Sequence, residues 1–134
     1  MNQNLAFSRD DATLISRLAD QLSRGSDTEL DLSDNLTEML GQATILPESV
    51  RAEGYVGLGE AVTYEVVATG DQHTVTLVAP ADSDPKLNRI SVLTPVGLAL
   101  IGEAVGASSM VVLPNGRTQD IRIISTHPDL LPAA

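Results

Sequence analysis

Cysteine and tryptophan are absent from this 134-residue chain, and only Phe7, Tyr55 and Tyr64 carry aromatic rings. Without cysteine there is no disulfide framework, thiolate metal site or cysteine nucleophile. Three rings cannot build an aromatic ligand pocket or a base-stacking platform. Basic residues are scarce as well, 8 against 18 acids, for a net charge of -10. That balance argues against direct, sequence-specific nucleic-acid binding, which depends on clustered Lys and Arg. The longest apolar stretch, residues 96–102, falls far short of the ~20 residues of a membrane span. The opening MNQNLAFSRDDA turns acidic at Asp10 and Asp11, unlike a secretory leader. The expectation is a soluble, cytoplasmic protein, long enough to hold a core without metal or disulfide.

What is present divides in two. Residues 1–54 hold ten acids and four arginines, a net of -6, in a pattern of helical spacing; from Tyr55 onward Val, Ile and Thr dominate. Leu14, Ile15, Leu18 and Leu22 form one apolar stripe, which predicts a helix from about Arg9 to Arg24 with Ser8 as its cap and Gly25 as its stop. Leu32, Leu36, Met39 and Leu40 form a second stripe, capped by Ser26 with Glu29 or by Ser33. Two helices so closely joined predict a short antiparallel hairpin over residues 1–45, each helix about 22 Å long. The break falls within residues 46–54, where Pro and Gly interrupt both patterns.

Residues 46–134 read as a largely antiparallel β domain with one short helix, making the fold class α+β. Val62, Tyr64 and Val66 alternate, and Thr69-Gly70-Asp71 turns the chain into a second strand over 72–79. A short strand at 90–93 leads to Thr94-Pro95, a hydroxyl cap followed by Pro at the first helical position. Pro114-Asn115-Gly116 predicts a closing hairpin between strands at 110–113 and 117–124.

Motifs for catalysis are missing. His73 and His127 have no sequence-adjacent partner, and no G-x-S-x-G elbow, P-loop or dinucleotide fingerprint occurs. Asp82-Ser83-Asp84 begins like a calcium loop, but Lys86 occupies the next ligand position, so a solvated turn is expected. The run Asp27, Glu29, Asp31, Asp34, Glu38 contains no base; it reads as a solvated helix face, or as tip carboxylates that meet a cation or a basic surface. No cofactor, resident metal or catalytic residue is expected, and the protein reads as a non-enzyme.

Residues 90–102, then Glu103-Ala104-Val105-Gly106 and Leu113-Pro114-Asn115-Gly116, resemble the C-terminal domain of the GreA/GreB transcript-cleavage factors. The likeness reaches back through residues 56–64 and covers roughly 46–126. The front end, with Leu36, Met39-Leu40, Ala43, Leu46-Pro47 and Val50, looks more like the short-armed Rnk branch, named for regulation of nucleoside diphosphate kinase. The resemblance implies an FKBP-like fold, without prolyl isomerase activity because that pocket is aromatic. It also implies docking on bacterial RNA polymerase near its secondary channel, with Leu93, Thr94 and Pro95 as contacts. The function expected is polymerase regulation in competition with longer-armed factors. The alternative is a cleavage factor whose tip residues Asp27, Glu29 and Asp31 help hold the polymerase's catalytic Mg²⁺.

Overall fold

A computed structural model of the chain describes residues 5–47, 54–113 and 115–127. The chain divides into two compact units, Met1–Glu53 and Gly54–Ala134. Residues 48–53, which include most of the expected junction, and Pro114 of the expected hairpin signal lie outside the described residues.

The first unit is a helical hairpin closed at its base by a two-strand bridge. Helix α1 spans Arg9–Leu22, with Ser8 accepting from the Asp11 N–H through its hydroxyl. Helix α2 spans Asp27–Gln42. Strand β1, Ala6–Phe7, precedes α1 and pairs in parallel with β2, Thr44–Ile45, which follows α2. That pairing brings the start of α1 beside the end of α2, so the two helices run antiparallel. The periodic stripes face each other: Phe7, Ile15 and Leu36 are fully buried, with Leu18 and Ala19 close behind. Ser33, one of the two expected caps, instead lies buried mid-helix and donates its hydroxyl to the Ala19 carbonyl across the hairpin at 2.7 Å. The first helix ends at Leu22, two residues before its expected end, and the base strands were invisible to periodicity because each is two residues long.

The second unit is a five-stranded sheet in the order β5-β4-β3-β7-β6. Its strands are β3 (Ala61–Val66), β4 (Gln72–Val78), β5 (Arg89–Ser91), β6 (Ser108–Val112) and β7 (Thr118–His127). All neighbours pair antiparallel except β4 and β5, whose parallel register continues through Val92 N–H to Val78 O at 2.9 Å. Gly70 and Gly116 take the positive φ that their turns require, +78° and +84°. Asp84 belongs to a hydrogen-bonded turn, accepting from the Lys86 N–H, as the solvated-turn reading expects. Tyr55 makes only an isolated bridge with Ala104, and the first long strand starts at Ala61. Alternation puts Val62, Tyr64, Leu77, Ile121 and Ile123 on the inner face, where helix α3, Pro95–Leu100, contributes Ala99 and Leu100. No helix among the described residues is long and apolar enough to cross a membrane.

Candidate functional site

Two places hold the candidate residues, one in each unit. In the β unit, the chain turns a sharp corner from β5 into α3. Thr94 controls it: its Oγ1 accepts from the Gly97 N–H at 3.0 Å and donates to the Ser91 carbonyl at 2.8 Å. Ser91 adds a third tie, its hydroxyl accepting from the Leu93 N–H at 3.0 Å. Gly97 is the counterpart of this tightness. A Cβ there would stand 2.6 Å from the Ser91 carbonyl oxygen and 2.8 Å from that of Val92, closer than real Cβ contacts allow. The corner therefore holds one backbone path and displays Pro95 exposed, with Leu93 and Thr94 half-buried. No charged side chain occurs from residue 90 to 102. The result is a tied, uncharged, partly apolar surface corner, suited to contact rather than chemistry.

Shortly after α3 comes a residue that sequence reasoning did not single out. Glu103 follows the corner helix and is buried, its side chain hydrogen-bonded to Ser109 on β6. Burial pushes its carboxyl up to about 7, partly offset by the Ser109 bond. Its one sequence-level signal is an acid placed directly after an uninterrupted apolar run.

In the helical unit, the tip is organised by a complete capping box at the start of α2. The Ser26 hydroxyl accepts from the Glu29 N–H at 3.3 Å, and the Glu29 carboxylate accepts from the Ser26 N–H at 3.1 Å. Gly25 leaves room for this return, since a Cβ there would sit 2.5 Å from the Glu29 Oε1. Asp27, Glu29 and Asp31 are all exposed. Helical spacing puts Asp27 and Asp31 on one face and turns Glu29 away from it, toward its own helix start. Among the described residues, no three acids or histidines are grouped so as to hold a metal ion. The structure thus gathers Leu93, Thr94 and Pro95 into one surface feature, but does not converge the three tip acids.

His73 is exposed on β4 and stacks obliquely against Tyr64 opposite, ring centroids 5.4 Å apart. His127 ends β7.

Comparison with known proteins agrees with the β unit. Residues 51–128 match the family described as transcription elongation factor GreA/GreB, C-terminal domain. The chain is 34% identical over 90 residues to transcription elongation factor GreA of Leuconostoc mesenteroides, covering 67% of this chain and 56% of that protein. It is 32% identical, with the same coverage, to GreA of Bacillus cytotoxicus. The chain thus spans a little over half the length of the curated relatives it matches. A solved GreA/GreB elongation factor from Nitrosomonas europaea superposes with a TM-score of 0.66 at 28% identity, over 92% of this chain and 98% of that one. The chain belongs to the GreA/GreB transcription elongation factor family.

Proposed function

We propose that this protein is a regulator of transcription that docks on bacterial RNA polymerase near its secondary channel, through the β unit and without catalysis of its own. The observation that carries the reading is the tied β5–α3 corner, which presents Leu93, Thr94 and Pro95 on a backbone held by three hydrogen bonds. Such preorganisation favours binding because little freedom is lost on contact. The two exposed or half-buried apolar side chains supply the contact area, and the chain's net charge of -10 aids encounter with the basic grooves of a nucleic-acid enzyme.

The helical hairpin would then occupy the channel mouth and compete with longer-armed relatives. At ~1.5 Å rise per residue, helices of 14 and 16 residues give an arm of roughly 21–24 Å. The capping box favours this reading over cleavage of the transcript. Glu29 already spends its carboxylate on the Ser26 N–H, which leaves Asp27 and Asp31 as the free tip acids.

Titration of labelled protein against core RNA polymerase, with an unlabelled long-armed family member as competitor, tests the proposal. Saturable, competable binding that weakens in Pro95→Ala supports it, and no binding at micromolar polymerase overturns it. An Asp27→Ala, Glu29→Ala, Asp31→Ala variant should dock like the wild type. If the wild type stimulates transcript cleavage and the triple variant does not, the tip has a direct role and the competitive reading fails.

A further inference from the structure

At the base of the helical hairpin lies an open groove of about 750 Å³, contained entirely within the first unit. Its lining is largely apolar, with Ala12, Leu40, Ile45 and Leu46, and Ile45 is 42% exposed. Arg9 and Arg17, both exposed, line it too, eight residues and so ~12 Å apart along α1. Neither arginine pairs with a carboxylate among the described residues, where Arg24–Asp20 is the one ion pair. Arg9 is also the first residue of α1, at the positive end of the helix dipole, where a cation is disfavoured. Two guanidiniums without a carboxylate partner among the described residues, beside an apolar lining in a chain of net charge -10, are unexplained by the fold itself.

The complementary surface is on the same molecule. With Leu36 buried, the opposite side of α2 carries Asp27, Asp31, Asp34 and Glu38, recurring at intervals of three and four. Leu30, 40% exposed, stands beside this stripe between Asp27 and Asp34. Those two acids are seven residues or ~10.5 Å apart, close to the spacing of the two arginines. Leu30 thus offers an exposed apolar side chain flanked by acids, the complement of an apolar groove flanked by arginines.

We propose that the groove is the docking site for α2 of a second copy of this chain, with Leu30 on the apolar lining and Asp27 and Asp34 against Arg9 and Arg17. The groove lies at the base of the hairpin and the Asp27–Leu30–Asp34 trio at its tip half. Two hairpins packed antiparallel about a two-fold axis therefore satisfy both contacts at once, and the dimer closes. The interface is small and rimmed by charge, so association is weak and salt-sensitive, and it covers the tip carboxylates in the dimer. This inference does not rest on polymerase docking.

Sedimentation velocity on the full chain tests it. The wild type should shift from monomer toward dimer at about 100 µM in low salt, and back to monomer at about 0.5 M salt. Arg9→Glu with Arg17→Glu takes the net charge from -10 to -14 and should abolish the dimer. Asp27→Lys with Asp34→Lys takes it from -10 to -6, which lessens general repulsion, yet should abolish the dimer as well. Combining all four substitutions returns the charge to -10 and should restore the association. Helix content by circular dichroism identifies any variant that fails to fold, and Leu30→Ser then serves as the substitute, weakening the dimer about tenfold. A wild type that stays monomeric at about 1 mM in low salt overturns the proposal, as does a dimer that survives Asp27→Lys with Asp34→Lys.

Discussion

The two units of this chain solve the problem of stability by opposite means. The helical hairpin is built from neighbours in sequence: a hydroxyl cap at Ser8, a reciprocal box at Ser26 and Glu29, and apolar stripes that recur every three or four residues. Among the described residues its charges are all exposed or half-buried, and much of that surface could change without disturbing a partner. The β unit is built from residues far apart. Strand β3 lies between β4 and β7, so residues near 62 pair with residues near 75 and near 126. It also buries a carboxylic acid and permits no side chain at Gly97. A unit made of local contacts keeps a versatile surface, whereas one made of distant contacts keeps a fixed shape. The candidate contacts at residues 93–95 belong to the fixed one.

Substitution at the corner should break that contrast most sharply. Gly97→Val drives two methyls into the Ser91 and Val92 carbonyls, and should cost more than about 4 kcal/mol. Loss of the sheet signal in far-UV circular dichroism, with loss of polymerase binding, is the expected result. A variant that folds and binds normally would show the corner to be adaptable.

Core truncations come next. Leu36→Ala in the hairpin and Ile123→Ala in the sheet each remove a fully buried side chain, and each should cost about 3 kcal/mol by urea denaturation. The hairpin can narrow its helix spacing more readily than a hydrogen-bonded sheet can, so the Leu36 variant should be the milder of the pair.

Glu103 sharpens the comparison through pH. Its folded carboxyl titrates at about 7, above the 4.5 of an exposed one, so between these values the folded state holds more protons than the unfolded. The contribution of Glu103 to stability then falls as pH rises from about 4.5 through 7 and levels off above. Urea midpoints at about pH 5 and pH 8 should differ for the wild type in that direction. Glu103→Gln keeps the shape and the Ser109 bond, and should remove this contribution to the difference. A slope unchanged in the variant would place its origin elsewhere.

The smallest effect should come from the tip. Ser26→Ala removes one half of the capping box and should cost about 1 kcal/mol. It frees the Glu29 carboxylate from its tie to the Ser26 hydroxyl while leaving the β unit untouched. Polymerase affinity measured alongside should stay within about twofold of the wild type.

These differences also govern how much of the molecule was legible in its sequence. Both helices and their Ser caps were readable because helical periodicity and capping are local. The strands and the Asn-Gly and Thr-Gly-Asp turns were readable for the same reason. Strands β1 and β2 were not, since two residues carry no period, and neither was the parallel pairing of the three-residue β5. Ser33 looked like a cap because a hydroxyl before a leucine-rich run usually is one; its real partner, Ala19, lies fourteen residues away. The candidate corner was visible as Thr-Pro before an apolar run, but the reason Gly97 must be glycine appears only when the strand end folds over it. Glu103 was unreadable as a buried acid because its burial depends on strands that arrive later in the chain.

The Ser33–Ala19 hydrogen bond has a consequence for measurement of distance. Apolar stripes alone tolerate sliding, because leucines one turn apart present similar surfaces. A hydroxyl committed to one particular carbonyl does not, since a slip of one turn would shift it ~5.4 Å and strand it in the hydrocarbon. The hairpin is thereby graduated like a ruler: the parallel β1–β2 bridge marks its zero, Ser33 locks the scale, and the capped end of α2 sits at one calibrated height. Whatever surface receives this arm meets its acids at a set depth rather than over a range.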